Sequence, residues 1–153
     1  MLHQHSILHG DIKPENIFID DDGLILGDLG SAWLRADGGP AAGMTPPYAA
    51  PEVWRGQAPT VASDIYSLGL TLLFAATGRV PVAGVAIDII DITEAFGDGE
   101  LAPLFEVDPR RRPRRAIDVA KLLGADDDSP LAATSATLSL PNPTFTYHPT
   151  NTR

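Results

Sequence analysis

His9-Gly10-Asp11-Ile12-Lys13-Pro14-Glu15-Asn16, followed further on by Asp28-Leu29-Gly30, is the stretch on which the reading of this chain turns. Between the two strings, Ile17-Phe18-Ile19 and Leu24-Ile25-Leu26 flank Asp20-Asp21-Asp22-Gly23. Acids and a glycine supply turn conformations, so the spacing predicts a short β-hairpin. That hairpin folds Asp28 back beside Asn16 and brings a carboxylate, a cation, an amide and a second carboxylate into one neighbourhood: Asp11, Lys13, Asn16 and Asp28.

Outward from the hairpin, residues 27–47 are rich in glycine, alanine and proline and show no sustained period, which reads as a long loop. From Ser63 to Thr77, Ile65, Leu68, Leu70, Leu72, Leu73 and Phe74 cover nearly every side of a helix, with Gly78 as its stop, so a buried helix is expected. Ala116, Val119, Ala120 and Leu123 recur at i, i+3, i+4 and i+7 and predict a second, amphipathic surface helix running to Gly124. Val80 to Phe96 carries both signals. Ile89, Ile92 and Phe96 suit a helix and the β-branched density of Val85, Ile87, Ile89 and Ile90 suits a strand; the reading leans to helix. The fold class expected is mainly α with a short β-hairpin, with residues 1–124 as the domain and the Ser/Thr/Pro-rich 125–153 as a disordered tail.

The chain has 153 residues, 44% of them hydrophobic, enough for one domain with a core of its own. Its formal net charge of -9 argues against nucleic acid or an anionic membrane as partner, since both need a positive surface field. No cysteine is present, which removes disulfides and thiolate metal sites and suits a reducing cytoplasm. The N-terminus lacks the pattern of a secretory signal, and the longest apolar run, Leu68 to Ala76, is too short to span a bilayer; a soluble, cytoplasmic chain is expected.

Asp11-x-Lys13-Pro14-x-Asn16 resembles the catalytic loop of protein kinases, and Asp28-Leu29-Gly30 resembles their Asp-Phe-Gly metal motif. Further matches follow in family order. Thr45-Pro46-Pro47-Tyr48-Ala49-Ala50-Pro51-Glu52 resembles the end of the activation segment, and Ser63-Asp64-Ile65-Tyr66-Ser67-Leu68-Gly69 the start of the central helix. Asp108-Pro109-Arg110-Arg111-Arg112-Pro113 resembles the loop whose arginine pairs with the glutamate of Ala-Pro-Glu. Lys13 and Thr45 point to the serine/threonine branch.

The resemblance implies a kinase-like C-terminal lobe and ATP- and magnesium-dependent phosphorylation of protein serine or threonine. It makes Asp11 the base, sets Lys13 at the γ-phosphate, and has Asn16 and Asp28 hold magnesium. Thr45 would bond Asp11 and Lys13, Arg112 would pair with Glu52, and His9 and Asp64 would support the catalytic loop as structural residues. Asp64, at a helix start, is also placed to cap backbone N–H groups.

Two departures qualify what is implied. His9-Gly10-Asp11 stands where the family has His-Arg-Asp, which removes the arginine that grips a phosphorylated activation loop and resembles the small-molecule phosphotransferases of the same fold. That alternative ranks second among enzymes, because Lys13 and the later motifs are not expected there. The run ahead of Leu8 is too short for a glycine-rich loop, a strand lysine or a hinge, so the isolated chain is expected to be weak or inactive. A truncated product, one half of a split kinase, and a noncatalytic binding or regulatory module presenting Val80 to Leu101 all stay open. The partners implied are a protein substrate with serine or threonine, and a separate N-terminal lobe or regulatory protein. The arginines at 110, 111, 114 and 115 read as a solvated run, Asp20 to Asp22 as a turn and not a calcium loop, and His3, His5 and His9 fit no zinc spacing.

Overall fold

A computed structural model describes residues 2–20, 23–34, 44–97 and 99–125. About half of the described residues are helical, and they also include two small antiparallel sheets. Strand β1 (Ile7–Leu8) pairs with β4 (Trp33–Leu34), and β2 (Ile17–Asp20) pairs with β3 (Gly23–Leu26) in the register Ile17↔Leu26, Phe18↔Ile25, Ile19↔Leu24. The β2–β3 ribbon is the hairpin expected from sequence. The β1–β4 pair was not foreseen: it takes two residues out of the stretch read as loop, too few to show a period.

Among the described residues four α-helices follow: α1 (Pro51–Trp54), α2 (Val61–Thr77), α3 (Ile89–Phe96) and α4 (Ala116–Leu122). Helix α2 begins two residues before the expected Ser63, because Thr60 is its N-cap. Thr60 Oγ1 accepts the Ser63 N–H at 3.3 Å and Ser63 Oγ accepts the Thr60 N–H at 2.8 Å, a reciprocal capping box. Asp64 is therefore not the cap. Gly78, at φ 68°, takes the left-handed conformation that ends the helix. The hydroxyls of Ser67 and Thr71 donate to carbonyls one turn back, at 3.0 and 2.8 Å, so the polar residues of this buried helix are satisfied.

The core gathers around α2, where Ile65, Tyr66, Leu70 and Leu73 pack with Tyr48, Val53, Ile92, Leu104, Phe105 and Val119. Gly69 makes this possible: a Cβ there would sit 3.0 Å from Leu104 Cβ and 3.3 Å from the Phe105 ring. Only the second half of the ambiguous 80–96 stretch is helix. Residues 79–88 have no regular structure, since Pro81 lacks a donor and Gly84 takes φ 73°, while Asp88 caps α3 by accepting the Ile90 N–H at 2.9 Å. The expected tail, 125–153, lies outside the described residues from 126 onward. Among the described residues no helix is long and apolar enough to cross a membrane.

Candidate functional site

The loop from His9 to Asn16 is held from below by α2. Asp64, 2% exposed, accepts the His9 and Gly10 N–H groups, each at 2.9 Å, and His3 Nε2 at 2.9 Å. A buried carboxylate with three donors is a rigid anchor, and here it fixes the backbone two residues before Asp11. His9 is fully buried and uses both ring nitrogens. Nε2 lies 2.9 Å from the Gly27 carbonyl and must donate to it, so Nδ1 is the acceptor of the Asp11 N–H at 3.3 Å. The ring thus ties the Asp11 loop to the strand end that leads into Asp28. Gly10 has φ 79°, a left-handed conformation that costs a residue with a side chain about 1–2 kcal/mol. Glycine in place of the family arginine has a local backbone reason of its own.

Asp11 is fixed at both oxygens. Oδ1 accepts the Thr45 backbone N–H at 3.0 Å, and Lys13 Nζ lies 2.7 Å from Oδ2. Lys13 Nζ also donates to Thr45 Oγ1 at 2.7 Å, so Thr45 meets the carboxylate through its backbone and the ammonium through its hydroxyl. Burial pushes the Asp11 carboxyl up, but hydrogen bonds from Lys13 and Thr45 and the Lys13 charge together outweigh it and hold the group below its ordinary value. Tyr48, beside this cluster, is pushed up to about 12 by burial and by the negative charge of Glu15.

Asn16, 5% exposed, donates Nδ2 to the Asp11 carbonyl at 2.8 Å, which leaves Oδ1 as its acceptor atom. The hairpin does what its spacing predicted: Gly27 N–H donates to the Asn16 carbonyl at 2.8 Å, so Asp28 is the next residue after the one paired with Asn16. Asp28 is exposed and takes a left-handed conformation, φ 53° and ψ 69°, unusual for a residue with a Cβ; its Oδ1 accepts the Gly30 N–H at 3.2 Å. An amide oxygen and a carboxylate are hard donors that suit magnesium, which keeps water and phosphate oxygens for its remaining positions, so the residues present fit that ion. Among the described residues no three His, Cys, Asp or Glu side chains gather to hold a metal by themselves.

Glu52 and Arg112 meet inside the molecule. Nη1 lies 2.6 Å from Oε1 and Nη2 2.8 Å from Oε2, a two-pronged pair with both residues under 5% exposed. The remaining guanidinium N–H groups donate to the carbonyls of Glu106, Ala62 and Val107, and the Tyr66 ring lies 4.6 Å below the guanidinium carbon. Just before it, Asp108 accepts the Arg110 N–H at 3.0 Å and caps the turn at Pro109–Arg111; the side-chain bond from Arg110 holds its carboxyl down to about 2. Arg110, Arg111, Arg114 and Arg115 are exposed, in line with a solvated run.

Sequence reasoning missed His3, which it weighed only as a metal ligand and which instead bonds Asp64 across 61 positions. Nothing in its local sequence signals that contact. It also missed the Gly27 carbonyl as the seat of His9.

The protein kinase domain model matches residues 1–115. The serine/threonine-protein kinase PknK of Mycobacterium tuberculosis is 45% identical over 81 residues, covering 50% of this chain and 7% of that protein. AfsK of Streptomyces griseus, also a serine/threonine-protein kinase, is 41% identical over 88 residues, 54% of this chain and 11% of its own length. The membrane-associated tyrosine- and threonine-specific cdc2-inhibitory kinase wee-1.3 of Caenorhabditis elegans is 35% identical over 135 residues, 73% of this chain and 19% of that one. The chain thus spans less than a fifth of the length of these relatives. With the family model covering residues 1–115, the chain belongs to the protein kinase domain family.

Proposed function

We propose that residues 1–124 form the C-terminal lobe of a serine/threonine protein kinase and supply the half of its active site that positions the acceptor hydroxyl and holds magnesium. The observation that carries this reading is the Asp11–Lys13–Thr45 cluster, in which Lys13 Nζ is 2.7 Å from both Asp11 Oδ2 and Thr45 Oγ1. A carboxylate fixed at both oxygens and kept ionised is suited to orient a serine or threonine hydroxyl and accept its proton. Lys13 keeps its ammonium beside the attacking oxygen, where negative charge gathers during transfer. Asn16 Oδ1 and the Asp28 carboxylate would hold magnesium. Bound magnesium and ATP supply the phosphoryl group and neutralise its charge. Thr45 acts as a positioning residue by locking Asp11 and Lys13 together, and a cysteine-free chain suits a cytoplasmic setting.

The test is to join the chain behind the N-terminal lobe of a serine/threonine kinase and follow phosphate transfer to protein serine and threonine. Turnover that Asp11→Asn abolishes is expected; turnover that survives Asp11→Asn would overturn the assignment of the base. A second reading, a noncatalytic binding module, is favoured by the surface around α3. There Val80, Val82, Val85, Ile89 and Ile90 are each more than half exposed. On that reading Asp11→Asn leaves partner binding intact and charged substitutions at Val82 and Ile90 remove it.

A further inference from the structure

We propose that Trp54 is a positioning residue of the site: its indole N–H holds the Pro46 carbonyl and thereby fixes Thr45, which in turn fixes Asp11 and Lys13. The inference rests on the reading of that cluster as the place where the acceptor hydroxyl is oriented. Trp54 Nε1 donates to the Pro46 carbonyl at 3.2 Å. Pro46 follows Thr45 directly, and Thr45 donates its backbone N–H to Asp11 Oδ1 at 3.0 Å and accepts Lys13 Nζ at its hydroxyl at 2.7 Å. The carbonyl that Trp54 grips is thus one residue away from the cluster. Where catalysis is mainly positioning, as in phosphoryl transfer, small displacements of the group that receives the proton are costly.

The two ends of this link are held differently. Trp54 closes α1, which is tied to the interior: Val53 lies in the core, and Glu52 carries the two-pronged pair with Arg112. Pro46 opens a single helical turn, Pro46–Tyr48, with little to secure it. Pro46 and Pro47 have no N–H to donate, which leaves the turn the bonds from the Tyr48 N–H to the Thr45 carbonyl at 3.0 Å and from the Ala49 N–H to the Pro46 carbonyl at 3.3 Å. The Tyr48 end is seated by its buried ring, edge-on to Phe74, whereas the Pro46 end is exposed. A side-chain donor on a rigid neighbour supplies there what the prolines cannot. Burial does not account for a tryptophan at this position, because Trp54 is 41% exposed and an aromatic ring stabilises chiefly by being buried. An exposed hydrogen bond of this kind adds little to global stability but restricts the turn locally. It also carries the rigidity of the Glu52–Arg112 pair to the loop that faces Asp11.

The experiment compares wild type with Trp54→Phe, which keeps an aromatic ring and removes the donor. Amide hydrogen exchange of the full chain, read by NMR, should show the Thr45 N–H exchanging ~5-fold faster or more in Trp54→Phe, with the α2 amides from Ile65 to Leu73 unchanged. In the enzyme completed by an N-terminal lobe, the same variant should lower kcat by ~5-fold or more and leave the KM for ATP within ~2-fold of wild type. Equal exchange at Thr45 in the two chains would overturn the proposal, because the link would then carry nothing. Faster exchange spread equally over α2 would overturn it too, since Trp54 would then be a general support of the fold. So would a kcat that stays at the wild-type value while Thr45 is loosened. Exchange is read without turnover, so a completed enzyme that Asp11→Asn leaves active would refute the reading of the cluster and is told apart from a failure of the link.

Discussion

Replacing Arg112 by alanine should cost more stability than any exposed substitution in this chain. All five guanidinium N–H groups have acceptors, two on Glu52 and one each on the carbonyls of Glu106, Ala62 and Val107. Truncation strips every one of them and leaves the Glu52 carboxylate, 4% exposed, buried without a counter-charge. Breaking one side of a buried pair costs about 3–5 kcal/mol, against about 0–1 kcal/mol for an exposed pair such as Arg110–Asp108. At about 4 °C per kcal/mol for a domain of this size, thermal unfolding should move down by ~12–20 °C. Arg112→Lys keeps the charge but not the fork and should fall between wild type and alanine. Removing both partners with Arg112→Met and Glu52→Leu leaves no orphaned charge and should cost less than the sum of the two single changes. Circular dichroism melts and urea titrations of the four-member cycle measure this. A loss below ~1 kcal/mol for Arg112→Ala, or strictly additive singles, would refute the reasoning, because the pair would then behave as an exposed one.

Other consequences follow from the same contacts. Asp11 has its folded-state value depressed, so the unfolded chain holds its proton to higher pH. The stability Asp11 contributes is full above its unfolded value, near about 4, and is lost as pH falls through the lower folded value. Acid unfolding of Asp11→Asn should therefore depend less steeply on pH in that window than wild type, and superposable curves would contradict the role given to Lys13 and Thr45. Tyr48 should release its proton only near about 12, read as a phenolate absorbance step missing from Tyr48→Phe. Thr60→Ala removes one half of the α2 capping box and should cost about 1 kcal/mol in urea unfolding, whereas Thr60→Ser should be nearly neutral.

What the sequence made legible is what depends on local chemistry. The hairpin was readable because acids and a glycine separate two apolar triplets, and with it came the return of Asp28 toward Asn16. Helix α2 was readable because apolar residues surround it, whereas the Glu52–Arg112 pairing came only from what the resemblance implied. Contacts decided by packing were legible only through the resemblance. The local sequence reads Asp64 as a helix-start cap and the resemblance as a brace for the catalytic loop; its oxygens accept the His9 and Gly10 N–H groups, away from its own helix. That choice depends on how α2 lies under the catalytic loop. The stretch 80–96 was read with a lean to helix on Ile89, Ile92 and Phe96, and its first half stays out of α3 because Pro81 and Gly84 interrupt it. The absence of the arginine before Asp11 reads as a change of regulation, whereas φ 79° at Gly10 gives the same residue a purely local reason.

The central claim is that Asn16 and Asp28, brought together by the hairpin, hold magnesium for a nucleotide presented to Asp11. Isothermal calorimetry of ATP binding to the chain, with and without magnesium, tests it most directly when Asp28→Ala is run beside wild type. The account predicts heat that requires magnesium and disappears in Asp28→Ala. Wild type that gives no magnesium-dependent heat, or an Asp28→Ala chain that binds as well, would contradict it.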